Sequence, residues 1–349
     1  MVTFKVPHNR ITPEKDDVES VASVVKSGHW AHGTETRAAE NDIARIIGRK
    51  YCLLVSSGLS ALRLALLSLG IKQNDEVLVP AYSCVAIPNS ILSIGAIPVL
   101  VDCDRNSNNI SAEDAAKKMS GKCRAVIAVN TFGVPADIHL IREKTSLPVI
   151  EDCAHGFGRP PLGQHGDIVI FSFYATKFVG AGEGGALATD NRYMADAVKD
   201  LRDYMDKLPD RYRLNDKPND LVAGLLRNRL RYIKSHIEKR DYLARRYVSG
   251  LSGCVKSRGI AILDQMVARI WYRFIIRVDN AEKASHVLHK AGIGAMLPIC
   301  SWADKQQLHV LPYTKEALIK NLSLPLYPAL AEKDQDLVMD TLIGSAGIE

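Results

Sequence analysis

Lys177 stands in the run FSFYATKFVGAGEGGALAT, residues 171–189, between a strand-like apolar stretch and a turn carrying four glycines and one acid, Glu183. A lysine so placed reads either as a loop side chain facing water or as an amine at a pocket rim. In a partly desolvated pocket it loses part of its pKa and becomes a nucleophile able to form a Schiff base with an aldehyde. Ser172, five residues earlier, offers a hydroxyl to an anion. Two other stretches carry chemistry. SSGLS, residues 56–60, joins a strand to a helix, where free N–H groups and the helix dipole favour an anion and Gly58 admits a phosphate close to the backbone. Taken alone, the same residues read first as an ordinary N-cap serine. IEDCAHGFG ends an apolar strand with Glu151 and Asp152 and places His155 three residues on. A carboxylate there keeps a nearby ring nitrogen protonated, although it also suits a helix cap or a metal ligand, and His155 taken alone suits a packed histidine. A phosphate cradle, a partner for a ring nitrogen and a Schiff-base lysine are together what pyridoxal 5'-phosphate requires.

The elements that must position these groups follow from hydrophobic patterning. YCLLVSS, EVLVP, IPVLVDCD, RAVIAVN and LPVIED are short apolar runs separated by helix-like stretches such as GLSALRLALLSLGI, VAIPNSILSIG, SAEDAAKKMS and IHLIREKTS. Continuous apolar strands are those of a parallel sheet covered on both faces. Their alternation with helices implies an α/β sheet built from right-handed crossovers. Ligands bind such sheets outside the carboxyl ends of the strands, where all three reactive stretches lie. DIVIFSFYA and GGALATD predict a hairpin around the glycines. NDLVAGLLRNRLRYIKSHIEKRDYLARRYVSGL predicts one long amphipathic helix, RIWYRFIIRV a strand, and AEKASHVLHKAGI and EKDQDLVMDTLIG helices. Tight alternation is lost in this last part, so the expected division is a large domain over residues 1–235 and a smaller α+β domain over 236–349.

The chain of 349 residues is 47% hydrophobic and 24% charged, ordinary globular usage with length enough for two domains. Its net charge of +6 is spread along the sequence rather than massed in an arm, which speaks against nucleic-acid binding. No segment runs eighteen apolar residues without a charge and the start lacks the apolar centre of a signal peptide, so no membrane partner and a cytoplasmic location are expected. Seven scattered cysteines with no CxxC pair argue against a disulfide framework and against a metal site, and read as reduced, mostly buried thiols.

SSGLSALRLAL, NDEVLVPAYSCVAIPNSILSIGAIPVLVDCD, FGVPADI, VIEDCAHGFG, DIVIFSFYATKFVGAGEGGALATD, NDLVAGL and LSLPLYP occur in this order across nearly the whole chain. In them the chain resembles the DegT/DnrJ/EryC1/StrS family of fold-type I pyridoxal-phosphate aminotransferases. The resemblance implies a large cofactor-binding domain with a mostly parallel central sheet flanked by helices, and a smaller carboxy-terminal domain. It implies that Lys177 holds the cofactor and shuttles the proton, that Asp152 partners the pyridine nitrogen, and that His155 contacts the ring or its 3-hydroxyl oxygen. Ser57, Gly58 and Ser172 match positions around the phosphate. Asn215, five residues before Asp220, matches an asparagine that reaches the phosphate from the neighbouring subunit, which implies a homodimer with a shared active site. The implied reaction moves an amino group, with glutamate as donor, to the ketone of a nucleotide-linked keto-deoxy sugar in polysaccharide or secondary-metabolite biosynthesis.

Several positions depart from the family. Leu59 stands where a threonine is usual, so Ser60 or backbone amides would have to compensate at the phosphate. Cys84 replaces a stacking aromatic, with Tyr82 two residues earlier, and Lys217 replaces an arginine near Asn215. AMLPICSWADKQQ, residues 295–307, lacks a histidine-bearing stretch of many sugar-acting members, which leaves a cyclitol ketone as an alternative acceptor. A dehydratase relative would carry histidine in place of Lys177, and a non-catalytic regulatory relative would not need the lysine, acid and cradle together. Trp30, His32 and Trp302 are further pocket candidates, each of which, taken singly, reads first as an ordinary core aromatic or surface histidine. Glu183 matches the family without a physical role of its own.

Overall fold

The computed structural model describes residues 4–205, 207–252, 260–263 and 268–344. Seven strands form the main sheet: β1 Tyr51–Val55, β2 Glu76–Pro80, β3 Ile97–Val101, β4 Cys123–Val129, β5 Val149–Asp152, β6 Ile168–Ser172 and β7 Gly185–Thr189. Their spatial order is β1-β7-β6-β5-β4-β2-β3. Contacts from β6 through β5, β4 and β2 to β3 are parallel. Only β7 runs against its neighbours, pairing β6 and β1 antiparallel, so the predicted hairpin is present and sits inside the sheet rather than at its edge.

Helices α3 (Gly58–Ser68), α4 (Ala86–Leu92), α5 (Ala112–Lys117) and α6 (Ile138–Thr145) are crossovers of this sheet, as their positions between strands predict. Each of α3, α5 and α6 starts on a side-chain cap, from Ser57, Ser111 and Asp137 respectively. Apolar residues of β1, β2, β4 to β7 and α3 form one core layer on one side of the sheet. A second layer, with Phe157, Phe171, Phe173 and Phe178, lies on the other. Two helices absent from the sequence reading, α1 (Asp17–Ser27) and α2 (Thr34–Ile47), precede β1.

After α7 (Arg192–Leu201), the long helix expected after Asn219 is two, α8 (Asp220–Leu230) and α9 (Ile233–Leu251). Neither glycine nor proline stands at the break. Tertiary bonds make it: Asn228 Nδ2 donates to Lys15 O at 2.8 Å, Arg229 pairs with Asp17 at 2.7 Å and the Tyr232 hydroxyl donates to Lys15 O at 3.1 Å. The expected strand over 269–278 is shorter, β9 Phe274–Arg277. Its first residues are drawn back to the main sheet, where Ile270 N–H donates to Gly133 O at 2.9 Å. Gly133 has φ +85°, and a Cβ there would meet Ile270 O at 1.9 Å, so only glycine fits this junction.

A second, antiparallel sheet, β10-β9-β8, combines β9 with β8 Ala261–Ile262 and β10 Asn321–Leu324. It packs with the helices Ala281–Lys290 and Glu332–Gly344 and with the later half of α9 around Tyr247 and Phe274. Helix α9 packs against both sheets. Ile233 and Ile237 pack with the main sheet, while Leu243, Ala244, Tyr247 and Leu251 pack with the small one. The amino-terminal Val6 pairs with Ile293 of the carboxy-terminal unit. Among the described residues no helix is long and apolar enough to cross a membrane. Cys52, Cys103, Cys123 and Cys153 are buried free thiols, Cys84 and Cys300 are exposed, and Cys254 lies outside the described residues.

Candidate active site

A cavity of about 410 Å³ opens at the carboxyl ends of the strands. It is lined by Ser57, Gly58, Leu59, Cys84, Asp152, His155, Ser172, Lys177 and Glu183, so eight of the nine residues expected at a cofactor are brought together. Asn215 is not among them. It is exposed on a loop held to the start of α3, where the carbonyl of its neighbour Asp216 accepts from Ser56 N–H at 2.8 Å.

At one end of the cavity, the Ser57 hydroxyl caps α3 by accepting from Ser60 N–H at 3.1 Å, which leaves Gly58 and Leu59 N–H without intrahelical acceptors. A Cβ on Gly58 would lie 2.9 Å from Ser172 Cβ and 3.1 Å from its Oγ, so glycine brings the serine hydroxyl beside the helix start. Ser60 does not compensate for Leu59. Its hydroxyl is buried, bonded to Ser56 at 2.9 Å, Ser57 at 3.1 Å and Asp216 at 3.1 Å, because Asp216 and Arg63 form an ion pair under the helix start.

β-Strand alternation separates the two adjacent acids. Glu151 turns away from the cavity and accepts from Asn130 Nδ2 and from the N–H groups of Gly163, His165 and Gly166. Asp152 faces the cavity, buried, with one oxygen accepting from Ala154 N–H at 2.8 Å and Oδ2 without a hydrogen bond among the described residues. Burial pushes its carboxyl up to about 6, against the opposing pull of Ala154 N–H and Lys177.

His155 is buried between two rings, Tyr272 at 4.7 Å and Phe132 at 5.9 Å between centroids, each inclined by 13°. Phe132 N–H donates to its Nδ1 at 3.3 Å, which assigns the proton to Nε2. Burial and then the charges of Lys177 and Arg273 push its pKa well below the ordinary value, so the ring is neutral. Lys177 Nζ lies 5.6 Å from the Tyr272 ring centroid, and no carboxylate among the described residues forms an ion pair with it.

Tyr272 and Arg273 also line the cavity and were missed because they were read as the middle of a strand. The signal was there: an arginine inside the apolar run IWYRFII is costly unless it faces a polar site. Tyr82 is a buried wall residue whose hydroxyl accepts from Asn321 Nδ2 at 3.0 Å, while Cys84 is exposed at the cavity. Glu183 lines the cavity with no side-chain hydrogen bond among the described residues. The other three candidates lie elsewhere. Trp30 is exposed and donates to Val25 O, His32 sits against Arg202, and Trp302 donates to Ser83 O at 3.1 Å beside the cavity without lining it. From the 295–307 stretch, Ile299 lines it. No group of three or more His, Cys, Asp or Glu among the described residues could hold a metal ion.

Solved structures share this fold over nearly the whole chain. NtdA from Bacillus subtilis, with bound cofactor PMP, is 27% identical with a TM-score of 0.88, covering 98% of this chain and 87% of its own. DesV from S. venezuelae, in complex with a ketimine intermediate, is 27% identical with a TM-score of 0.88, covering 97% and 98%. A DegT DnrJ EryC1 StrS aminotransferase from Brucella abortus is 26% identical with a TM-score of 0.86, covering 95% of each chain. With residues 12–343 matching the family as a whole, the chain belongs to the DegT/DnrJ/EryC1/StrS aminotransferase family.

Proposed function

We propose that this aminotransferase moves an amino group from glutamate to the ketone of a nucleotide-linked keto-deoxy sugar, in surface-glycan or secondary-metabolite biosynthesis. Family membership supports the reaction class, and the PMP bound by NtdA supports pyridoxal phosphate as cofactor. The observation that carries the reading is the convergence of Lys177, the free oxygen of Asp152 and the first turn of α3 on one cavity.

These residues fit the cofactor. Gly58 and Leu59 N–H and Ser172 Oγ offer donors to a phosphate dianion, and the missing Cβ of Gly58 keeps their approach open. When bound, pyridoxal phosphate supplies an aldehyde for amines to condense with and a ring that takes up the electron pair left when a neighbouring carbon loses its proton. Asp152 would hold the proton on the ring nitrogen, because burial leaves its charge only partly offset by Ala154 N–H and Lys177. Lys177 would hold the cofactor through its amine and, when that amine is free and neutral, would be the base that moves the substrate's proton. His155 gives a flat, neutral packing surface and directs Nε2–H as a donor. Asn215 serves the cavity of a second copy, which makes the working unit a homodimer, and the enzyme acts in the cytoplasm.

The test is spectroscopic. Purified protein given pyridoxal phosphate should gain visible absorbance that Lys177→Ala abolishes, glutamate should bleach it, and an acceptor should restore it. No visible band, or a band unchanged by Lys177→Ala, defeats the reading. Restoration by a cyclitol ketone and by no nucleotide-linked keto sugar defeats the acceptor assignment.

A further inference from the structure

Lys177 also lines a second cavity, of about 330 Å³, which shares no other residue with the first. Its walls come from the amino-terminal segment around Arg10, from the turn of residues 175–180 and from the first half of α9. Among the described residues its lining holds the cations Arg10, Lys177, Arg229, Lys239 and Arg240 against a single acid, Glu14. That acid is engaged, with Oε1 2.8 Å from His236 Nε2, and Arg229 is matched by Asp17 at 2.7 Å. No acid among the described residues forms an ion pair with Arg10, Lys239 or Arg240. The cavity therefore carries an excess of positive charge.

Arg240 is the most enclosed of these cations, only 5% exposed, and burial pushes its pKa down to about 10. It spends Nη1 on the carbonyls of Trp271, Tyr272 and Leu326, while Nε and Nη2 have no hydrogen-bond partner among the described residues. Its Cζ lies 5.4 Å from the centroid of the Phe178 ring, which puts the charge beside the turn that follows Lys177. In that turn Lys177 N–H donates to Tyr174 O at 2.7 Å, but the N–H groups of Phe178, Val179 and Gly180 make no hydrogen bond among the described residues. All three residues are buried, and all three line the cavity. Buried N–H groups without an acceptor are uncommon and costly. Successive free N–H groups form a concavity that suits an anion, and here unpaired cations stand around it.

The number of donors points to the kind of anion. Three N–H groups in series, a guanidinium with a free Nη2 and two further cations exceed what one planar carboxylate can use, and match a tetrahedral group with several oxygens and more than one negative charge. The cofactor's own phosphate is provided for elsewhere, by Gly58, Leu59 and Ser172 at the start of α3, none of which lines this cavity. We propose that the cleft between Arg10, the 178–180 turn and α9 is a second phosphate-binding site, which takes a phosphate or diphosphate group of a ligand other than the cofactor. Because Lys177 belongs to both cavities, an occupant of this one touches the turn that carries the reactive amine. The site stands on its own residues and does not depend on the keto-sugar assignment.

The probe is inorganic diphosphate, titrated by calorimetry into enzyme saturated with pyridoxal phosphate, so that the donors at α3 are already occupied. It should bind, and the double variant Arg10→Gln, Lys239→Gln should weaken it about 10- to 100-fold, as expected for lost charge-assisted contacts. The visible band and the pyridoxal-phosphate affinity of that variant should be unchanged. Lys234→Gln removes a charge from the same helix but outside the cavity, and should change diphosphate affinity less than about threefold. Uridine, guanosine and thymidine diphosphates, offered separately, distinguish two sources of the phosphate. Displacement of inorganic diphosphate by one of them, with the same loss in the double variant, assigns the group to a nucleotide-bearing ligand; binding of inorganic diphosphate with no competition from any of them assigns it to a free anion. No binding of diphosphate to the loaded enzyme overturns the proposal, as does an affinity that the double variant lowers no more than Lys234→Gln does. Acceptor turnover enters none of these measurements, so failure of every keto sugar defeats the acceptor assignment and leaves this site standing.

Discussion

Asp152→Asn should stabilise the cofactor-free protein while weakening its hold on the cofactor. The Asp152 carboxyl sits in the folded chain with a pKa of about 6 against an ordinary 3.8, mainly because burial penalises its charge. A folded pKa raised above the unfolded one means that the unfolded chain ionises first as pH rises. Stability is therefore fully present below about pH 4, falls as pH climbs to about 6, and is flat beyond. At 1.36 kcal/mol per pKa unit the loss amounts to about 3 kcal/mol at pH 8 and about 1 kcal/mol at pH 4.5. Asparagine keeps an oxygen for Ala154 N–H but never ionises, so it escapes this loss. Thermal melts of the two cofactor-free proteins should diverge with pH, the variant melting about 4 °C higher at pH 8 and nearly together with the parent at pH 4. With pyridoxal phosphate present the order should reverse, because the parent gains a charge partner for the ring nitrogen and the variant does not. A difference in melting temperature that stays constant between pH 4 and pH 8 would refute the claim that Asp152 is the buried, only partly compensated acid of this site.

Two substitutions test the phosphate end. Gly58→Ala places a methyl 2.9 Å from Ser172 Cβ, so it should lower pyridoxal-phosphate affinity by at least 10-fold and cost about 1–3 kcal/mol from overpacking, measured by equilibrium dialysis and denaturant melts. Ser60→Ala should behave oppositely: the buried hydroxyl holds Asp216 and Ser57, so stability falls by about 1 kcal/mol while cofactor affinity changes less than threefold. A large loss of affinity in Ser60→Ala would return that serine to the phosphate.

Much of the fold is legible residue by residue because its causes are local. Continuous apolar runs name the parallel strands, Ser57, Ser111 and Asp137 name helix starts, and the glycines after Lys177 name the turn before β7. The break at Arg231 is not legible, because it comes from Asp17 and Lys15, more than two hundred residues away, competing for the α8 end. Nor is the true start of β9, since Ile270 pairs with Gly133, more than a hundred residues away in the chain.

The sequence by itself determined which residues could do amine chemistry and in what order they come, because strand ends and helix starts are set by short-range pattern. Tertiary structure decided which of two adjacent acids faces the cavity, that Ser60 is consumed by Asp216, and that Tyr272 and Arg273 join Lys177 in lining the cavity. Those outcomes depend on burial, charge and competition for hydrogen bonds among groups far apart in the chain, which no local spacing records.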